Sequence, residues 1–297
     1  MVDSTMLKYI LVTPAKNEGK HLPKVAEAVI DQIVLPTLWV IVDDGSTDET
    51  PDIIEDLEHQ FNWIRSIKLP PHPRDITFHY SYVCKNGFDH AFDLCEVNGI
   101  QYDLIGLLDA DTVLEKTYFK KLSLEFNKNT LLGIASGHIT DIPDGEVCWA
   151  DIKKDEPDRP LPRGSGRFWR KECFFEVGGY PIEPAPDSIS NVKATLRKWE
   201  IRQFGYIKAI QLRNTSSAEG LWNGYLINGS IAYYLNKHPL LVLLNSFFYF
   251  TQKPYYIGFA YLCGYLRDWF KRSPKINDSE IRDYYWNDRL KEYIRWH

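Results

Sequence analysis

The chain predicts an α/β fold: a mostly parallel central sheet flanked by helices, followed by an aromatic-rich helical C-terminal extension. Three observations carry this. Short apolar runs alternate with stretches of helical spacing, the pattern of βαβ units. Several runs end in turn formers and carboxylates, and the carboxyl ends of strands are where open α/β sheets bind ligands. After Ser230 the chain turns aromatic, with 18 Phe, Tyr and Trp in its last 67 residues.

Taken in order, Tyr9 to Thr13 reads as a buried strand ending at Pro14, and Ala15 to Gly19 as a loop. Leu22, Val25, Ala26, Val29, Ile30 and Ile33 recur at helical spacing. Leu38 to Val42 is the next strand, closed by Asp43-Asp44-Gly45-Ser46-Thr47-Asp48. Thr47 or Asp48 suits the cap of a helix carrying Ile53, Ile54 and Leu57, with Pro51 in its first turn. Ile64 to Leu69 is a third strand, and Pro70 to Pro73 a proline-rich loop. A helix over Phe88 to Val97 leads to the strand ending at Asp109. Helix is expected over Thr112 to Phe126, then a strand from Leu131 to His138. Asp141 to Gly166 reads as a long excursion, with one strand near Val147 to Ala150. Phe168 to Val177 has helical spacing and stops at Gly178-Gly179. Asp187-Ser188 opens a further helix, and Tyr206 to Leu212 is the last strand.

The change of character at Ala218 divides the chain into 1–217 and 218–297. A net charge of −5 argues against general nucleic-acid binding, which requires a basic face. The segment from Ile231 onward is nonetheless basic, with ten Lys and Arg against six acids. Five widely spaced cysteines lack zinc or redox spacing and suit a reducing cytosol. Neither a signal peptide nor a run of about 18 apolar residues is present, so a spanning helix is not expected. Leu240 to Phe250 and Tyr255 to Phe270 are apolar, aromatic and flanked by Lys and Arg. Three environments suit them: a membrane interface on the inner face of the cell membrane, a second subunit, or a helical layer on the sheet.

Asp109-Ala110-Asp111 follows a buried apolar run. Two carboxylates this close repel unless a cation lies between them, and an all-oxygen donor set suits Mg²⁺ or Mn²⁺. The alternative is a pair of solvated Asp residues capping the following helix.

Read together, Thr13-Pro14-Ala15-Lys16-Asn17-Glu18, Val42 to Asp48 and Asp109-Ala110-Asp111 form an ordered set, each at a strand end. The set resembles the catalytic domain of glycosyltransferase family 2, of the GT-A type, over roughly the first 215 residues. That resemblance implies a nucleotide-sugar donor, UDP- or GDP-linked, and a glycan or lipid-linked acceptor. It implies that Thr13, Pro14, Ala15 and Glu18 hold the base and ribose. Asp44 would accept from the base, while Asp43 orients the turn or shares that role. Lys85 matches a basic donor contact. Asp109 and Ala110 would face the ribose and Asp111 the ion, Mn²⁺ or Mg²⁺, with Asp109 contributing to the ion as well. Gly164-Ser165-Gly166-Arg167 through Gly178-Gly179-Tyr180 resembles the acceptor-side segment, and Asp187 sits where the family carries its catalytic base.

Two departures stand out. Pro186 precedes Asp187 where many members have Glu, and Asp187 also suits a plain N-cap. Near Asn214 some relatives carry a His, and this chain has Arg213, able to compensate electrostatically. His72, His79, His90 and His138 are isolated in sequence and read as structural. The implied reaction is inverting displacement by an acceptor hydroxyl, with Asp187 as base. The rivals are a sugar nucleotidyltransferase, which would want a basic Gly-rich loop after the first strand, and a non-catalytic nucleotide-sugar-binding scaffold.

Overall fold

The computed structural model describes residues 6–71, 78–142, 149, 152, 156–213 and 220–291. The chain divides into two compact units, Met1–Arg213 and Asn214–His297.

In the first unit, Tyr9–Ala15 forms β1, Leu22–Ile30 α1, Leu38–Asp43 β2, Thr50–Gln60 α2 and Ile64–Lys68 β3. The chain continues through α3 (His79–Asn98), β4 (Leu104–Leu107), β5 (Thr112–Leu114), α4 (Tyr118–Lys128) and β6 (Leu132–Asp141). After it come β7 (Arg167–Arg170), α5 (Lys171–Glu176), α6 (Pro186–Leu196) and β8 (Glu200–Gln211). The sheet runs β3-β2-β1-β4-β7-β6-β8-β5. Its first four strands are parallel, with Ile10 of β1 facing Leu38 of β2 and Ile105 of β4. Beyond β4 the sheet is mixed: β7 is antiparallel to both neighbours, and β6 and β8 are parallel.

Both faces of β1, β2 and β4 are covered, so these strands are apolar at most positions, while β3, with Arg65 and Lys68 exposed, is not. Leu11, Trp39 and Ile41 pack in one core layer with Val25, Ile54 and Phe119. Ile10, Val12, Val40 and Val42 pack in the other with Val83, Phe88 and Trp169. Helix α3 approaches the sheet at Gly87, where a Cβ would stand 2.6 Å from side-chain carbons of Val12 and Val42. This contact seats the helix across β1 and β2, and its first turn reaches their carboxyl ends.

Several expected elements differ. Thr112 to Leu114 is a buried strand paired with β8, not the start of a helix, and the helix begins at Tyr118. Phe168 and Trp169 likewise lie in a strand between β4 and β6, and only Lys171–Glu176 is helical. In both segments side chains buried on two faces imitate helical spacing. Helix α3 begins nine residues earlier than expected, and β8 begins six residues earlier. The cap of α2 also shifts: Glu49 occupies the N-cap position, while Asp48 Oδ1 accepts from the Thr50 N–H at 3.0 Å. Apart from Trp149, the strand expected over Val147 to Ala150 lies outside the described residues, as does the end of the loop at His72-Pro73.

The second unit consists of α7 (Leu221–Tyr234), α8 (Pro239–Phe250), α9 (Ile257–Lys271) and α10 (Ser279–Asp283), the last continuing into a π-helical turn, Tyr284–Asp288. Tyr233, Val242, Tyr261 and Tyr265 form its core. Helices α7 and α9 meet through Gly229 and Gly264, each with the other helix's carbonyl where its own Cβ would be. No helix among the described residues is long and apolar enough to cross a membrane.

Candidate active site

The carboxyl ends of β1, β2 and β4 lie side by side, at about 4.8 Å per strand. From β2, Asp43 Oδ1 accepts from the Ser46 N–H at 2.9 Å and fixes the turn. Its Oδ2 is buried without a hydrogen bond, 3.9 Å from the Lys68 ammonium. Asp44 donates its backbone N–H to Ala15 O at 2.8 Å and directs its carboxylate at the His79 ring, Nε2 to Oδ1 at 2.8 Å. Lys16 donates to the Asp44 carbonyl at 2.8 Å and stands 3.4 Å from its carboxylate. Pro14 lies in β1 opposite Val42. Thr13 is fully buried, and its hydroxyl accepts from the Trp39 indole at 2.9 Å, so it anchors the strand end from inside.

From β4, Asp109 Oδ1 accepts from the Tyr80 hydroxyl at 2.7 Å. The Asp109 N–H bonds to Ser165 Oγ at 2.9 Å, and Ser165 donates to Thr112 Oγ1 at 2.9 Å. Ala110 is buried beneath the pair. Burial, then the Asp111 and Asp187 carboxylates, pushes the Asp109 pKa up to about 7, against the Tyr80 and Ser165 hydroxyls. The Tyr80 hydroxyl is itself raised well above its ordinary value by burial and then by Asp109. Asp111 is buried; its Oδ2 accepts from Arg213 Nε at 3.0 Å. Arg213 Nη2 also bonds Glu18 Oε1, and Glu18 Oε2 meets His21 Nδ1 at 3.1 Å.

Asp187 lies in the first turn of α6, after Ala185 in the left-handed conformation at φ 60° and Pro186 at the first helical position. Ala185, and not Asp187, occupies the N-cap position. Arg167 Nη1 reaches both its carbonyl and its Oδ1 at 3.3 Å. That guanidinium is wholly buried and also bonds Arg163 O, Pro162 O and Asn191 Oδ1. Burial lowers the Arg167 pKa, and Asp187 opposes the shift. Gly164 completes the seat: a Cβ there would fall 2.4 Å from Asp187 Oδ2.

The fold therefore gathers Asp44, Glu18, Asp109, Asp111 and Asp187 along one sheet edge. Lys85 is not drawn in by any described contact; its ammonium pairs with Asp89 at 2.5 Å, one turn along α3. His79 corrects the sequence reading, because it contacts Asp44 instead of standing apart. Tyr80, Lys16, Ser165 and Arg167 also enter the site. Tyr80 carried no sequence signal, since only the early start of α3 brings it over Asp109. Among the described residues no group of three or more His, Cys, Asp and Glu side chains is arranged as a metal site.

The model of the family described as "Glycosyl transferase family 2" matches residues 10–180. No curated protein matches the chain. Among solved structures, a mannosyltransferase from Pyrobaculum calidifontis in complex with GDP-Man and Mn²⁺ is similar over 99% of this chain and 84% of its own, at TM-score 0.54 and 12% identity. S. aureus TarS 1–349 in complex with UDP-GlcNAc is similar over 98% of this chain and 78% of its own, at TM-score 0.51 and 14% identity. Against the longer S. aureus TarS structure the chain spans 40% of that protein's length, with 76% of this chain covered, TM-score 0.50 and 14% identity. The architecture is thus the GT-A fold of glycosyltransferases. The chain belongs to glycosyl transferase family 2.

Proposed function

We propose that this glycosyltransferase moves a sugar from a UDP- or GDP-linked donor to an acceptor hydroxyl, with inversion, using Asp187 as general base. The observation that carries the reading is the convergence of Asp109, Asp111 and Asp187: Ser165 holds the Asp109 N–H, and Arg167, two residues further on, holds the Asp187 carboxylate. A carboxylate oriented by a buried Arg and facing a cluster of strand-end acids suits proton removal from an acceptor held in line with the donor. Asp44, turned inward by Lys16 and His79, suits the N–H edge of uracil or guanine. Glu18 and the β1 loop form the wall beside it, and Lys85, paired with Asp89, has no part in our reading.

A divalent ion fits the donor set of Asp109 and Asp111, hard oxygens whose mutual repulsion already appears in the raised Asp109 pKa. When bound, Mn²⁺ or Mg²⁺ supplies positive charge for the departing nucleoside diphosphate. The mannosyltransferase it resembles in fold was crystallised with Mn²⁺ and GDP-Man, which supports this assignment. Asp187, Asp44 and Tyr80 do the rest: they take up the acceptor proton, hold the base and fix the orientation of Asp109.

The acceptor we assign is a lipid-linked or surface glycan met at a membrane surface. Phe247, Phe248, Phe259 and Phe270 are largely exposed on α8 and α9, with Lys253 between the helices and Lys271 and Arg272 at the end. Exposed aromatics flanked by cations fit an anionic lipid interface.

A thermal-shift panel of nucleotide sugars with Mn²⁺ identifies the donor, since only ligands of the native state stabilise it. Product analysis then separates the readings. Nucleoside diphosphate and an inverted glycoside support transfer; pyrophosphate would make the protein a nucleotidyltransferase, and donor binding without turnover a scaffold.

A further inference from the structure

Arg213 stands where a cation for the strand-end carboxylates is wanted. It follows Leu212, whose N–H bonds Asp111 O at 2.9 Å, so the end of β8 is tied to the Asp109-Ala110-Asp111 turn. From this anchor its guanidinium bridges Asp111 Oδ2 and Glu18 Oε1. The exposures are unequal. The Arg213 side chain is 46% exposed, against 7% for Asp111 and 8% for Glu18. The acids are fixed from below, while the arginine reaches in from solvent. Burial works against its charge, yet Glu18 and Asp111 outweigh that and raise its pKa. A planar fork that holds two carboxylates also suits two phosphate oxygens, and it stays charged in either place.

Resting on the proposed donor site, we propose that Arg213 is the resident counter-ion of Asp111 and Glu18 and passes to the donor diphosphate when the pocket fills. In the ligand-free protein the guanidinium neutralises Asp111 and thereby competes with a divalent ion. On donor binding it exchanges carboxylate for phosphate partners and leaves Asp111 to the ion. Arg213 is then a donor-binding residue, and Asp111 has a cationic partner in both states, the guanidinium in one and the ion in the other. Free Mn²⁺ accordingly binds the empty protein weakly, and the nucleotide brings the ion with it.

Two titrations of the full chain test this. Mn²⁺ alone, followed by electron paramagnetic resonance of the free ion, should bind Arg213→Gln at least tenfold tighter than wild type. UDP and GDP in excess chelator should bind the same variant at least tenfold more weakly. Equal Mn²⁺ affinity in the two proteins overturns the proposal and leaves Arg213 a fixed tie between β8 and the β1 loop. Tighter Mn²⁺ with unchanged UDP and GDP affinity overturns it as well, since Arg213 would then block the ion without holding phosphate. Should Arg213→Gln not fold, Glu18→Gln frees one arm of the bridge: a severalfold gain in Mn²⁺ affinity supports the competition, and none refutes it. If wild type binds neither nucleotide, with or without Mn²⁺, it is the donor-site reading that fails, a result distinct from any change at Arg213.

Discussion

The strand ends of the first unit and the helices of the second treat charge and apolar surface in opposite ways. At the strand ends Glu18, Asp43, Asp44 and Asp111 are buried, and nearly every carboxylate oxygen there meets a hydroxyl, an amide, a ring nitrogen or a cation. In the second unit most charged groups are outside, Lys237 excepted, and so are many of the largest apolar ones, with Phe270 83% and Phe247 68% exposed. Buried charge persists only when partners compensate its desolvation. One region keeps its acids inside among such partners, and the other leaves large aromatic rings in contact with solvent.

The comparison can be broken first at Asp187. If its carboxylate does chemistry, Asp187→Asn should lower kcat by about 10²–10⁴-fold with donor affinity unchanged, as read by single-turnover kinetics and calorimetry. An equal loss of donor binding would return Asp187 to a structural role. Next is the buried guanidinium that seats it. Arg167→Ala leaves Asp187, Asn191 and two carbonyls without their donor, and should cost about 3–5 kcal/mol in chemical denaturation. A cost below about 1 kcal/mol would mean the site does not depend on that partner.

Asp109 sharpens the contrast through pH. Its folded pKa of about 7 lies above that of a solvated Asp, so the folded state binds its proton more tightly than the unfolded chain does. Stability from this group is complete below about pH 4 and is lost as pH rises through about 7. Asp109→Asn should therefore raise the melting temperature at pH 8 without divalent ion, by about 2–4 °C, and the gain should vanish toward pH 4. A gain independent of pH would point to packing instead. The smallest effect belongs to the other region. Phe247→Ser with Phe248→Ser should reduce sedimentation with phosphatidylserine-containing vesicles severalfold and leave the melting temperature nearly unchanged, because both rings are outside the core. Unchanged vesicle binding would remove lipid as the partner of that face.

Legibility followed the same division. Strands β1, β2 and β4 and the acids that follow them could be read because doubly covered parallel strands are mostly apolar and their terminal turns use recognisable residues. Asp109 and Asp111 stood out for that reason. The segments misread as helix, Thr112–Leu114 and Phe168–Trp169, are short strands buried on both faces, where period 2 and period 3.6 look alike. The supporting shell was not readable, because it depends on juxtaposition. His79 and Tyr80 reach Asp44 and Asp109 from the first turn of α3, across 35 and 29 positions of sequence. Arg213 bonds Asp111 across 102 positions. Lys85 stands differently: its character suits a phosphate contact, and in the ligand-free chain its ammonium pairs with Asp89, one turn away on the same helix.

Gly164 leads somewhere practical. The space beside Asp187 Oδ2 exists because residue 164 stops at its α-carbon. If Asp187 is the base, one added methyl, Gly164→Ala, would push its carboxylate off the line of approach while leaving every ionisable group in the protein intact. Such a variant should load donor and acceptor together and stall, which makes it a natural choice for trapping the ternary complex in a crystal.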